Sequence, residues 1–249
     1  MLAPKPRASF SVRISLASAV TAAALLAPIA ATAQQVQRQG QDWDWCLNAE
    51  EKFSVDQRTN SCTAIIQSGK ETPANLALAY NNRGMTYNGT GEYDRAIADL
   101  SEAIRLVPKY RAAYNNRGNA YSRKGEYDRA IADFNEAIRL DPKFQASYNN
   151  RGNAYNGKGE YDRAIADFNE AIRLDPKFQA SYNNRGNAYN GKGEYDRAIA
   201  DYSEAIRLNP KDPAAYNNRG NAYSRKGEYD RAIADLNEAI RLDPKRANP

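Results

Sequence analysis

Histidine is absent from all 249 residues, and with it goes the commonest general base and metal ligand near neutral pH. No serine or cysteine can be activated by an imidazole, so the usual nucleophile–base pairs are excluded. Cysteine is nearly absent too. Cys46 and Cys62 are the only two, half of a tetrahedral zinc set, and neither a metal nor any other cofactor is expected. After residue 31 no apolar run is long enough to cross a bilayer, so no membrane span is expected in the mature chain. An excess of one charge is also lacking. The formal net charge is +5, but three of the 35 basic residues and none of the 30 acidic ones lie in the first 33 positions, which leaves +2 for the remainder. Such a mixed surface is no footprint for nucleic acid, and none is expected as a partner.

Residues 1–33 read as a signal peptide. Lys5, Arg7 and Arg13 make a positive start, Ile14 to Ala31 is apolar and alanine-rich, and Ala31-Thr32-Ala33 places small residues where a signal peptidase reads them. Pro28 interrupts the stretch and alanine is only weakly apolar, which argues against a membrane anchor. The expectation is an exported protein, periplasmic first, with secretion and a mitochondrial address as the other destinations of such a start. In an oxidising compartment a lone cysteine pair joins, so Cys46 and Cys62 are expected to form a disulfide. Two free thiols are the cytosolic alternative.

What the chain has in abundance is repetition. From Ala77 to Arg246 nearly the same 34 residues occur five times without insertion, as 77–110, 111–144, 145–178, 179–212 and 213–246. Copies three and four differ only at Phe168/Tyr202, Asn169/Ser203, Asp175/Asn209 and Phe178/Asp212. A fixed period of this size implies units that bury their apolar faces on one another. In copy two, Tyr114, Gly118 and Tyr121 share one helical stripe and Gly125 breaks the helix. Ala130, Phe134, Ala137 and Ile138 form a second stripe, which Pro142 ends. Each unit is predicted to be a hairpin of helix A and helix B, with Gly118, Ala130 and Ala137 small where the two approach. The fold class is therefore all-α, a solenoid of antiparallel helix pairs.

Outside the copies, residues 34–76 are expected to form an N-terminal cap. Trp43, Trp45 and Phe53 supply apolar bulk, and Cys62 to Ile66 reads as the end of a degenerate helix B. Residues 247–249 are a tail, too short for a closing helix, so Ile233, Leu236 and Ile240 of the last unit are expected to be partly uncovered.

Tyr114, Gly118, Tyr121, Gly125, Tyr127, Ala130, Ala137 and Pro142, recurring in every copy, resemble the marks of the tetratricopeptide repeat. The resemblance covers 170 of the 249 residues and implies a superhelical array that binds protein. One position departs from the family. Where leucine is common, this chain has Arg83, Arg117, Arg151, Arg185 and Arg219. Each arginine stem is expected to pack beside the tyrosines, with its guanidinium reaching either solvent or a helix-B carboxylate such as Asp133.

Numbered within each unit, positions 2, 6, 9 and 13 of helix A lie opposite the core positions 4, 8 and 11. In arrays of the type this chain resembles, that side of helix A lines the concave groove. Here it carries Asn82, then Asn116, Asn119 and Arg123, then Asn150 and Asn153, then Asn184 and Asn187, then Asn218, Asn221 and Arg225. An amide donates and accepts at once, which matches the alternating groups of an extended peptide backbone. The position-six asparagines are similar to the ladder in the repeat domain of O-linked N-acetylglucosamine transferases, which holds peptide main chain. Only the repeat resembles, so no activity carries over. Two roles stay open for these asparagines: contact with a ligand, or bonds within the array. The lysines with which some members of the family hold a terminal carboxylate are missing, and only Arg123 and Arg225 place charge in the groove.

Gly152 to Lys158 spells most of a phosphate-binding loop, but Gly159 follows where serine or threonine is needed, and the stretch runs along a helix. A tandem array repeats every surface, whereas catalysis needs one unique constellation, so no enzyme is expected. The function read from the sequence is a non-catalytic protein–protein scaffold of the cell envelope that binds an extended peptide segment. The alternative is a self-assembling array that stacks through its last repeat.

Overall fold

The computed structural model describes residues 40–47 and 52–244, and the signal-like positions 1–33 lie outside them. Among the described residues every regular element is helical. Helix α1 covers 40–47 and α2 covers Val55–Gln67. Five hairpins follow: α3 Pro73–Thr90 with α4 Tyr93–Leu106, α5 Arg111–Arg123 with α6 Tyr127–Leu140, α7 Gln145–Gly157 with α8 Tyr161–Leu174, α9 Gln179–Gly191 with α10 Tyr195–Leu208, and α11 Pro213–Lys226 with α12 Tyr229–Leu242. No described helix is long and apolar enough to cross a membrane.

Each hairpin is made by local chemistry. At the end of α5, Gly125 takes φ +78°, a left-handed conformation that costs glycine little and any other residue more. The Glu126 N–H then reaches back to the Tyr121 carbonyl at 2.9 Å. Helix α6 stops at Leu140 because Pro142 forces Asp141 into extended backbone, φ −147°. Between the two helices the side chain of Phe134 lies on Gly118, and a Cβ there would meet the ring at 2.7 Å.

No unit owns its core. Phe134, Tyr121 and Ala130 are buried together with Ala154 of the next hairpin, and Ile131 packs beneath Tyr155. Removing a neighbour would expose these residues, so the hairpins stand only as a stack.

The seventh-position arginines reach the carboxylates and not the solvent. Arg151 donates from Nε to Asp167 Oδ2 at 2.8 Å and from Nη2 to Oδ1 at 2.6 Å. Its Nη1 donates to Asn135 Oδ1 of the preceding hairpin at 2.5 Å. Arg83, Arg117, Arg185 and Arg219 make the same fork with Asp99, Asp133, Asp201 and Asp235. Donating to Asp167 holds the pKa of the Arg151 guanidinium above its ordinary value, although burial pulls the other way. Each fork thus pins helix A to its own helix B and to the helix B before it.

That third bond identifies what α2 does. Arg83 Nη1 donates to Thr63 Oγ1 at 2.8 Å, so α2 stands where a preceding helix B would. Ser54 and Gln57 cap its start reciprocally, and a Cys46–Cys62 disulfide joins α1 to it. Trp43 packs on Cys46, Cys62, Ile65 and Ala79, whereas Trp45 and Phe53 pair with each other, ring centres 5.9 Å apart. Reduction is expected to lower the melting temperature while the five hairpins stay helical. The bridge closes a separation of 16 residues, for which loop entropy gives about 3 kcal/mol. Circular dichroism with and without reductant checks this, and coincident melting curves would sink the stabilising role of the disulfide.

At the opposite end Tyr229 is 65% exposed, Ile233 57% and Ile240 47%. Their equivalents Tyr127 and Ile131 are partly buried against a following hairpin. The outward face of α12 has no such neighbour among the described residues.

Candidate functional site

The A helices α3, α5, α7, α9 and α11 succeed one another along one side of the array, and their position-six asparagines form rungs. Asn116 Nδ2 donates to Asn81 Oδ1 at 3.0 Å. Asn150, Asn184 and Asn218 repeat this toward Asn115, Asn149 and Asn183 at 3.1–3.2 Å. In the first unit Asn82 instead accepts from Asn81 Nδ2 at 3.3 Å. Each rung uses one of the two amide N–H groups, which leaves the other N–H and the oxygen for a second partner. The two roles left open by the sequence are therefore compatible in one side chain.

Asn116, Asn119, Arg123, Asn150 and Asn153 come together in one concavity of about 650 Å³, walled also by Asn88, Ser122 and Tyr127. Asn221 and Arg225 lie in a second one of about 480 Å³, with Asn190 and Ser224. Asn218 opens onto the end face, beside Leu236 and Ile240. Asn82, Asn184 and Asn187 line none of these three. Asn187 is drawn to the core: its Oδ1 accepts from the Tyr202 hydroxyl at 2.8 Å, where copies two and three carry phenylalanine. Burial pushes the Tyr202 phenol well above its usual range, so the hydroxyl stays protonated and remains a donor.

Position 12 also faces the groove, through Asn88, Ser122, Asn190 and Ser224, and was not among the groove positions read from the sequence. A signal for it exists. Copies two and five read Ser-Arg at positions 12 and 13, where copies three and four read Asn-Gly. The glycine has a packing reason, since a Cβ on Gly157 would lie 2.6 Å from the Tyr127 ring. Among the described residues, no carboxylate lines either concavity. The nearby lysines are spent elsewhere: Lys158 reaches Asp128 at 2.6 Å and Glu160 at 2.8 Å, and Lys124, Lys192 and Lys226 do likewise. No described cluster of three acidic or sulfur ligands could hold a metal ion.

The chain matches a family model described as TPR repeat over residues 84–125 and 186–227. A second, described as tetratricopeptide repeat, matches 112–144, 146–178 and 213–246, and a third matches 168–200. No curated protein matches the sequence. Among solved structures, a crystal structure of MamA is 27% identical, with 67% of this chain and 97% of that one covered at a TM-score of 0.58. A tetratricopeptide repeat protein from Parabacteroides merdae ATCC 43184 is 22% identical, with 83% and 80% covered at 0.69. YrrB, described as a TPR protein with an unusual peptide-binding site, is 23% identical, with 75% and 94% covered at 0.55.

Proposed function

This chain belongs to the tetratricopeptide repeat family, and from that premise we propose that it is a non-catalytic scaffold of the cell envelope holding an extended segment of a partner protein along its A helices. The observation that carries this reading is the half-used ladder. Asn116, Asn150, Asn184 and Asn218 are oriented by one bond each and keep a donor and an acceptor for a ligand backbone. Three further amide oxygens, those of Asn88, Asn156 and Asn190, are covered and lack any donor. The envelope assignment rests on the signal-like start and on the Cys46–Cys62 bridge, which suits an oxidising compartment.

Each rung contributes about 0.5–1.5 kcal/mol net, and ordering a flexible segment offsets much of that sum, so affinity is expected on the order of micromolar. Changing Asn150 and Asn184 together to alanine is expected to weaken binding about tenfold while helix content holds. Some loss of melting temperature will accompany it, because both side chains also bond Asn115 and Asn149. Unchanged binding with a lowered melting temperature would make the ladder structural and end this reading. The exposed Tyr229, Ile233 and Ile240 favour a second reading, stacking of copies through α12. Light scattering on the same samples separates the two: a molar mass that grows with concentration selects stacking.

A further inference from the structure

The four residues that line the smaller concavity repeat four of those that line the larger. Asn88, Asn119, Ser122 and Arg123 of the first recur as Asn190, Asn221, Ser224 and Arg225 of the second, each 102 residues later. The copies between them carry glycine at position 13, so no guanidinium intervenes.

Charge marks this pair out from the rest of the array. Every other described arginine of the five units is held by a carboxylate within the chain. Arg123 and Arg225 are exposed, face the groove, and have no such partner among the described residues. A free guanidinium beside a hydroxyl and two amides, with no carboxylate among the residues that line either concavity, is a donor set for an oxyanion. Between the two arginines lie the neutral Asn150 and Asn153, which also line the first concavity, and Asn184.

We propose that the groove is bivalent for acidic peptide: an extended partner segment is gripped through two carboxylate side chains, one at Asn119, Ser122 and Arg123 and one at Asn221, Ser224 and Arg225. The proposal rests on the groove reading above and names the class of segment it takes. Spacing follows from the stack. Packed helices lie about 8–10 Å apart, so three steps span roughly 24–30 Å, and an extended chain advances about 3.3–3.6 Å per residue. The two acids are therefore about seven to nine residues apart. Once one is seated, the other binds at the effective concentration set by that short tether, so the pair gains more than either alone.

The test uses the full chain and a fluorescein-labelled peptide of glycine, serine and threonine bearing two glutamates about eight residues apart. Companion peptides carry one glutamate, or glutamine at both places. Fluorescence anisotropy is expected to show the two-glutamate peptide binding at least about tenfold more tightly than the glutamine one, with the single-glutamate peptide between them. The double variant Arg123→Gln and Arg225→Gln should bind all three alike, at the affinity of the glutamine peptide, with unchanged circular dichroism because both side chains are exposed. Equal binding of glutamate and glutamine peptides by the unaltered chain would overturn the acidic preference and leave the groove reading standing. Equal binding of one-glutamate and two-glutamate peptides would overturn bivalency. Binding of none of the three would take down the groove reading with it.

Discussion

Leucine at position 152 will open the array in its middle. A single Cβ there already falls 2.7 Å from Cε1 of Phe168, and that ring is fully buried among Tyr155, Ala164 and Ala188. The additional carbons of Gly152→Leu have no space to enter, so α7 and α8 must part or Phe168 must leave its rotamer. Overpacking of this kind costs about 1–3 kcal/mol, occasionally more, and here the upper end applies because the obstacle is a whole ring. Since hairpins contact only their neighbours, the damage also unseats α9. Gly159→Ala is the control. Gly159 has open space around it and φ +75°, so only backbone strain of about 1 kcal/mol is at stake. Urea titration followed by circular dichroism should give a lower, broader transition for Gly152→Leu and a small shift for Gly159→Ala. Coincident curves for Gly152→Leu and the unaltered chain would deny the close approach.

The second large effect is expected at the fork. Asp167→Ala leaves the Arg151 guanidinium without its counter-charge at a place where the two side chains are only 20% and 9% exposed. Breaking one half of a buried pair costs about 3–5 kcal/mol, and the lower end applies because a fifth of the arginine remains in water. Arg151→Lys keeps the charge but not the planar fork, and an ammonium cannot reach both carboxylate oxygens and Asn135 in the same geometry. A loss of about 1–3 kcal/mol is expected for it. Adding Arg151→Met to Asp167→Ala should recover part of the stability, because the stranded charge is gone. If Arg151→Lys unfolds at the same denaturant concentration as the unaltered chain, stem packing and not the fork is what matters.

The fold was legible because its determinants are local. Gly125 and Pro142 punctuate each unit within a few residues, and the small Gly118 and Ala130 mark a close approach without reference to distant chain. The fork was only half legible. From α7, Arg151 bonds two other helices at once, and its bond to Asn135 of the preceding hairpin is invisible to a reading made one unit at a time, which left solvent and carboxylate equally open. Position 12 was missed for a geometric reason. On an isolated helical wheel it falls between the core and groove sides, and only the packing of neighbouring A helices turns Ser122 and Asn190 into walls. Asn187 went the other way through one oxygen atom. Tyr202 stands for phenylalanine in copy four, and its hydroxyl takes an amide that the helical period alone had assigned to the groove.

The junctions between hairpins are the same junction written several times: Asn150 on Asn115, Arg151 on Asn135 and Lys158 on Asp128 are repeated as Asn184 on Asn149, Arg185 on Asn169 and Lys192 on Asp162. A hairpin duplicated or deleted whole between them would find every partner already in place. Length can thus change in whole hairpins without a packing penalty. Inserting a copy like the third between Arg123 and Arg225 would lengthen the interval between them by one helix spacing and alter no contact. If the groove grips a segment at Arg123 and Arg225, the number of copies sets the distance between the two grips in whole steps.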